Sequence, residues 1–137
     1  MKKIASVLIL IGCFFALNAQ EKSPAKVDTS QMAKIVFDKT VCDYGNIAQG
    51  SKPSCSFTFT NRGKSPLVLS GIKAACGCTT TSWTKDTIFP GRSGKITVKF
   101  DTNHDKFLGP FMRAVTVISN ALNSSVELQL IGVIKKL

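Results

Sequence analysis

Two cysteines separated by one glycine, Cys76-Gly77-Cys78, have the clearest capacity for chemistry in this sequence. In an extended segment both thiols project from the same side, with their Cα atoms roughly 6.5 Å apart. That separation is near the upper limit for a disulfide, so a bridge needs a local bend, which Gly77 permits because glycine tolerates a positive φ. Three interpretations stay open: two reduced thiols that fill core space, a labile disulfide, and a soft-metal site such as Cu(I) held by two thiolates.

The metal interpretation is limited by the supply of further ligands. A tetrahedral zinc site needs two more ligands than Cys76 and Cys78 provide. His104 is the only histidine of the chain. Cys42 and Cys55 would complete the set only if the fold brought all four cysteines together. The simpler expectation is two core cysteines, and a Cys42–Cys55 disulfide stays open because adjacent strands would bring the two residues within range.

Catalytic patterns are absent from the sequence. His104 lies in the polar stretch 102–106, where we expect solvation rather than catalysis. No serine stands in a Gly-x-Ser-x-Gly turn, and neither a glycine-rich phosphate loop nor a His-Glu-x-x-His pair occurs. The sequence therefore predicts a protein that is not an enzyme and carries no catalytic residue.

The first nineteen residues have the pattern of a secretory signal peptide. Lys2 and Lys3 supply the positive start, Ile4 to Leu17 is almost wholly apolar, and Ala19 offers a small residue at the cleavage point. The apolar run is shorter than the ~20 residues that span a bilayer, so we expect no transmembrane helix in the mature form. The signal predicts export to the periplasm or the extracellular space.

A second interpretation of the same segment makes the protein an outer-membrane lipoprotein. Leu10-Ile11-Gly12-Cys13 resembles a lipoprotein box, in which Cys13 is acylated and becomes the mature N-terminus. Phe14 to Leu17 follows directly, whereas such tethers usually continue with polar residues. Ordinary cleavage after Ala19 is the favoured alternative, and lipidation of Cys13 stays open.

The charge of the chain bears on its partners. The formal net charge is +10, and without Lys2 and Lys3 it is 10 − 2 = +8. A basic protein of the bacterial envelope tends towards acidic surfaces, so an envelope protein or an acidic glycan is the expected partner, although scattered lysines also serve solubility. No Lys/Arg run with interleaved aromatic residues occurs, which argues against nucleic acid.

The remainder of the chain divides into a polar, flexible leader at residues 20–33 and one domain at 34–137. From Lys34 onward, short runs with a period of two alternate with turns rich in Gly, Pro and Asn. The alternation buries Cys55, Phe57 and Phe59 in one run, and Ile96, Val98 and Phe100 in another. Seven or eight strands in about 100 residues predict an all-β, immunoglobulin-like antiparallel sandwich.

An ordered series of motifs runs along this domain. It comprises Asp43-Tyr44-Gly45-Asn46-Ile47, Phe57 to Gly63, Pro66-Leu67, Cys76-Gly77-Cys78-Thr79, Trp83, Pro90-Gly91, Phe100-Asp101, Ser119-Asn120 and Gly132. The series resembles the bacterial domain of unknown function 1573 (DUF1573) from about Ile35 to Ile134. The resemblance implies export and a sandwich related to the ASH, major sperm protein and PapD domains.

These observations favour a non-enzymatic binding or structural module of the cell envelope. Such a module would present an edge strand or its end loops to a partner. Four aromatic residues at or near loops, Trp83, Phe89, Phe107 and Phe111, either form an exposed patch or cap the ends of the sandwich. The alternative function is a thiol-based soft-metal or redox protein that uses Cys76 and Cys78.

Overall fold

The structure, a computed structural model, describes residues 26, 28–103 and 108–136. The predicted signal peptide, Cys13, His104 and Phe107 lie outside these residues. No helix among the described residues is long and apolar enough to cross a membrane. The only helical element there is a 3-10 turn at Thr29–Gln31, and Asp28 caps it by accepting a hydrogen bond from the Ser30 N–H.

Eight strands make up the domain, which confirms the predicted all-β class. They are β1 (Ile35–Phe37), β2 (Val41–Ala48), β3 (Ser54–Asn61), β4 (Leu69–Ala74), β5 (Thr79–Trp83), β6 (Ser93–Phe100), β7 (Gly109–Ser119) and β8 (Ser125–Lys135). The first sheet has the order β1-β3-β6-β5, and the second has the order β2-β8-β7-β4. All pairs are antiparallel except β2 and β8, which run parallel.

The core lies between the two sheets, where the predicted alternation holds. Phe57, Phe59, Ile96, Val98 and Phe100 of the first sheet have no exposed surface, and Cys55 is 7% exposed. Val115, Val117, Leu128 and Leu130 of the second sheet face them. β3 and β6 thus bury every second side chain, which is the arrangement that a half-buried strand requires.

Three segments differ from what their local sequence suggests. Gly109 and Pro110 are residue types typical of turns, but β7 begins at Gly109 because Gly109 and Pro110 pair with Ile134 and Val133 of β8. Leu67 lies outside β4 and makes an isolated bridge to Ile88. The expected leader extends to residue 33, yet Ala33 is buried in the core.

A bulge interrupts β2 at the Asp43-Tyr44-Gly45 motif. Its register against β8 shifts between Asp43 and Asn46, and Gly45 has a φ of 63°, which glycine adopts without strain. The Asp43 carboxylate accepts a hydrogen bond from the Gly45 N–H at 2.7 Å. A side chain at Gly132 would press on the Gly45 carbonyl oxygen and on the Phe111 ring. The motif residues therefore shape this bulge.

Candidate functional site

The Cys76-Gly77-Cys78 segment lies where the chain crosses from the second sheet to the first. It joins β4 to β5, the two strands at the same lateral side of the sandwich. A disulfide links Cys76 and Cys78, whose Cα atoms are 5.3 Å apart, closer than in an extended strand. The segment bends as the sequence analysis required, but Gly77 does so without the positive φ that was expected there.

The bridge is accessible from one side. Cys78 is 9% exposed, whereas Cys76 is half-buried and Gly77 is exposed. A Cβ added at Gly77 would meet no atom within 4 Å. Solvent and small molecules therefore reach the bridge over Gly77, while the core covers Cys78.

Thr79 is the polar residue next to both sulfurs. Its Oγ1 lies 3.6 Å from the Sγ of Cys76 and 4.0 Å from the Sγ of Cys78. Its backbone N–H donates to the Cys76 carbonyl oxygen at 3.4 Å, which closes the turn. Asp101 fixes the other end, because its N–H donates to the Cys78 carbonyl oxygen at 2.8 Å.

The structure does not gather the four cysteines into one site. Cys42 of β2 and Cys55 of β3 form their own disulfide, with Cα atoms 6.5 Å apart. The two residues belong to different sheets rather than to adjacent strands of one sheet, so this bridge ties the sheets together. Both are 7% exposed, as expected for core cysteines.

No three His, Cys, Asp or Glu residues lie close enough to hold a metal ion in the part of the chain that the structure describes. A Cu(I) site on Cys76 and Cys78 alone needs only two thiolates, so it remains a prediction for the reduced protein.

A second candidate site is the open edge of β5, which pairs with β6 alone among the described strands. The Thr84 N–H donates to Lys95 O at 3.0 Å, so the backbone N–H and C=O groups of the even-numbered residues of this segment point towards β6. In an antiparallel pair, residues that bond to the partner strand alternate with residues that do not. The backbone groups of Thr81 and Trp83 therefore point away from β6, to the open edge. This edge therefore offers unpaired donors and acceptors.

The other sheet edges carry features that oppose pairing with another chain. β2 is bulged and carries Asp43, β4 has a register shift after Leu69 and carries exposed Lys73, and β1 is three residues long. Bulges, charges and short length are the usual means of protecting a sheet edge. β5 has a regular register and the uncharged sequence Thr-Thr-Thr-Ser-Trp. It is therefore the least protected edge strand.

The outer face of the first sheet carries hydroxyl and lysine side chains. On its three longer strands they are Ser54, Ser56, Thr58, Thr60, Thr80, Ser82, Ser93, Lys95, Thr97 and Lys99. Hydroxyls pair across the strands, as at Ser56 and Thr97, whose oxygens are 3.3 Å apart. Since this set contains lysines and no carboxylate, the face beside β5 is polar and positively charged.

The aromatic residues divide between the two predicted roles. Phe111 is buried and stacks on Phe100 with ring centroids 4.8 Å apart. Trp83 is half-buried at the end of β5, and the Lys85 ammonium lies 3.1 Å from the centre of its ring. Phe89 is 59% exposed. The Trp83 Nε1 atom is buried and has no acceptor among the described residues.

Comparison with known sequences decides the family. Residues 35–134 match the family described as "Protein of unknown function (DUF1573)". The chain belongs to the DUF1573 family. The match confirms the resemblance carried by the motifs from Asp43 to Gly132. No protein of curated function matches the DUF1573 chain significantly.

Solved structures share the fold at low sequence identity. A protein of unknown function from Porphyromonas gingivalis superposes with a TM-score of 0.67 and 16% identity, and 79% of this chain covers 50% of that one. The human CEP192 ASH/PapD-like domain superposes with a TM-score of 0.62 and 11% identity, and 100% of this chain covers 99% of that domain. The YadV chaperone superposes with a TM-score of 0.55 and 15% identity, and 74% of this chain covers 52% of that one. The DUF1573 chain thus spans about half of the Porphyromonas protein.

The local sequence pattern identifies Cys76, Cys78, Cys42 and Cys55 as candidate site residues, but it does not identify β5 as the open edge. Strand order decides which strand lies at an edge, and it arises from long-range pairing that the local pattern does not encode. The uncharged run from Thr79 to Trp83 was the available signal, since edge strands usually carry a charge.

Proposed function

We propose that this DUF1573 protein is a non-enzymatic binding module of the bacterial cell envelope that takes an extended segment of a partner protein at the β5 edge. The single observation that carries this proposal is the regular, uncharged and unpaired edge of β5 beside protected edges elsewhere. An added strand would pair its backbone with the outward groups of Thr81 and Trp83.

Charge and shape favour an acidic segment as the occupant. Every second side chain of an added strand would lie on the outer face of the first sheet, next to Thr80 and Ser82. Lys99 pairs laterally with Thr80 on that face, and Lys95 lies four residues before Lys99 on β6. Carboxylates at alternate positions of the partner would meet these lysines, which raises the association rate and selects the partner.

The comparisons agree with such a role. The YadV structure is described as that of a chaperone, and the CEP192 domain is described as ASH/PapD-like. Likeness of fold alone carries no function. The proposal therefore rests on the edge itself, and the envelope location rests on the predicted signal peptide of the first nineteen residues.

A substitution at Thr81 separates strand addition from other kinds of binding. Proline at this position removes the outward N–H and leaves the β5–β6 hydrogen bonds at the even positions, and an edge strand tolerates it there. Thr81→Ala is the matched control because it keeps the N–H. We expect Thr81→Pro to lose capture of the envelope partner at least ten-fold and Thr81→Ala to keep it, with both variants folded by circular dichroism.

Hydrogen exchange gives an independent measurement on the unmodified protein. The amides of Thr81 and Trp83 should exchange quickly in the free protein and slowly once the partner is bound, because they become donors to the added strand. A partner that binds Thr81→Pro as tightly as Thr81→Ala, or that leaves these two amides unprotected, would refute the proposal. Failure to recover any partner from envelope extract would count against it as well.

A further inference from the structure

The two disulfides differ in burial and in the length of the loop that each one closes. The Cys42–Cys55 bridge joins the sheets, and both of its residues are buried. The Cys76–Cys78 bridge closes a loop with a sequence separation of 2, against 13 for the other bridge. A bridge that closes so short a loop restrains the unfolded chain far less, so it contributes little as a staple of the fold.

The bridge in the Cys76-Gly77-Cys78 turn is placed for chemistry instead. We propose that it is a thiol–disulfide exchange site, opened by a dithiol that leaves the Cys42–Cys55 bridge closed. This proposal is independent of the edge-binding function, since it concerns the sulfurs and not the β5 backbone. Its support is the open space over Gly77, the half-buried Cys76 and the position of the Thr79 hydroxyl.

Access determines which sulfur is attacked. The thiolate of the incoming dithiol reaches the Sγ of Cys76, because Cys76 is the more exposed of the two residues. A sulfur–sulfur bond forms between the dithiol and Cys76, the Cys76–Cys78 bond breaks, and Cys78 leaves as a thiolate. The second thiolate of the dithiol then attacks the first sulfur of the same dithiol, which is bonded to Cys76 in the mixed disulfide. This closes the disulfide of the dithiol and releases Cys76 as a thiolate.

The exchange balances. The dithiol gives up two electrons and two protons and becomes a disulfide, while Cys76 and Cys78 take up two electrons and two protons and become thiols. The reverse sequence, with an oxidised dithiol, closes the bridge again. A dithiol of the envelope is the chemical class of partner that this site requires.

Thr79 is a positioning residue for this exchange. Its hydroxyl lies within hydrogen-bond distance of either sulfur, so it can donate to a sulfur that carries negative charge. A hydrogen bond to the charged form of a group favours that form, so the hydroxyl stabilises the thiolate that leaves. Thr79 also closes the turn through its N–H to the Cys76 carbonyl oxygen, and this bond does not depend on the side chain.

The test uses the oxidised protein and dithiothreitol as the dithiol. The protein is equilibrated over a range of ratios of reduced to oxidised dithiothreitol, quenched with an alkylating reagent, and each cysteine is quantified by peptide mass spectrometry. We expect Cys76 and Cys78 to be alkylated at a ratio at least about ten-fold lower than Cys42 and Cys55, with circular dichroism unchanged. Opening of both bridges at one ratio, or opening only with loss of the fold, would overturn the proposal. So would thiols at Cys76 and Cys78 that excess oxidised dithiothreitol does not join.

Variants check the order of attack and the role of Thr79. With one cysteine of the pair replaced by serine, Cys76 in Cys78→Ser should form a mixed disulfide with oxidised glutathione, releasing reduced glutathione, faster than Cys78 in Cys76→Ser does. The opposite order would contradict the assigned attack. In the reduced protein, Thr79→Val should slow alkylation at neutral pH roughly two- to ten-fold and move its pH profile upward. The control variant Thr58→Val changes an exposed threonine of β3, a strand that does not pair with β5, and should leave the profile unchanged. An unchanged profile in Thr79→Val would show that its hydroxyl has no part in the exchange.

Discussion

The side-chain amide of Asn61 donates a hydrogen bond to the carbonyl oxygen of Ile88 at 2.9 Å. The same amide donates to Ser65 O, and its Oδ1 accepts from the N–H groups of Gly63 and Lys34. Asn61 has no exposed surface. One buried side chain therefore joins the end of β3 to three separate loops.

Replacing Asn61 by alanine should lower the free energy of unfolding by about 3 kcal/mol, because it leaves buried backbone groups unpaired. Urea denaturation followed by tryptophan fluorescence measures this. Asn46→Ala is the control, since Asn46 is exposed and its replacement should change the value by less than about 0.5 kcal/mol. A loss below about 1 kcal/mol for Asn61→Ala would show that water replaces these bonds.

The two disulfides should differ in their contribution to stability. Loop-closure entropy gives about 3 kcal/mol for the bridge between Cys42 and Cys55 and about half of that, as an upper bound, for the bridge between Cys76 and Cys78. Double alanine variants of each pair, unfolded in urea without reductant, measure the difference. Equal losses, or the larger loss for the Cys76 and Cys78 pair, would contradict the assignment of Cys42–Cys55 as the structural bridge.

Alanine substitutions at two strand glycines, Gly94 and Gly71, should have opposite effects on stability. A Cβ at Gly94 would overlap the Phe59 ring, whereas a Cβ at Gly71 would meet no atom within 4 Å. Gly94→Ala should lower the melting temperature through a loss of about 2 kcal/mol, because the buried ring must move. Gly71→Ala should be neutral or slightly stabilising, since alanine reduces the entropy of the unfolded chain. Thermal denaturation of both variants distinguishes crowding from a general intolerance of substitution in strands.

Stability at alkaline pH should depend on Tyr44. Burial raises the pKa of Tyr44 to about 12, from an ordinary value of 10.0. The folded state therefore keeps the phenol proton between these values while the unfolded state releases it, so stability is full below pH 10 and falls as the pH rises towards 12. Because Tyr44 is only half-buried, solvent screening limits the fall to about 1 kcal/mol.

Urea midpoints across pH 9 to 12 measure the alkaline fall, and Tyr44→Phe is the control. Phenylalanine keeps the ring that stacks on Phe111 but carries no proton to lose. The free energy of unfolding of the unmodified protein, minus that of Tyr44→Phe, should therefore decrease from pH 10 to pH 12. A constant difference would mean that the pKa of Tyr44 is not raised.

The alternative function, soft-metal binding by Cys76 and Cys78, can be tested by Cu(I) uptake. The reduced protein should bind at most one Cu(I), and replacement of Cys76 and Cys78 by serine should abolish uptake. The Cys42→Ser/Cys55→Ser variant should bind as the unmodified protein does. Competition with a chromogenic Cu(I) chelator, together with a native mass, measures this. Uptake that survives the loss of Cys76 and Cys78 would remove the metal hypothesis.

Period-two alternation sufficed to predict the strands and their buried faces, because the inward positions from Cys55 to Phe59 and from Ile96 to Phe100 are set by local sequence. Pairing that is distant along the chain was not predictable. The chain leaves the first sheet after Phe37 and enters the second at Val41, and only partner strands determine that switch. Pro110, read as a loop residue, lies in β7 because β8 pairs with it.

The role of Asn61 was detectable in the sequence but was not deduced. Asn61 has the same odd-numbered parity in β3 as Phe57 and Phe59, whose side chains face the core. The alternation therefore places the polar side chain of Asn61 in the core as well. A buried amide needs partners for all its polar atoms, and tight turns supply free backbone groups. Gly63, two residues later, is such a turn residue: a side chain there would overlap the backbone of Met32 and Lys34.

The parallel pairing of β2 with β8 has a mechanical consequence. Val41 lies opposite Gln129 and Ala48 opposite Lys135, so the start of β2 and the end of β8 are at opposite ends of one ladder. A pull that separates these two points loads the ladder in shear, and its hydrogen bonds must yield together. In an antiparallel pair the same pull would open them one after another, at lower force. Resistance to such a pull depends on the unfolding rate rather than on equilibrium stability. The β2–β8 ladder therefore resists tension that is applied between these two strand ends.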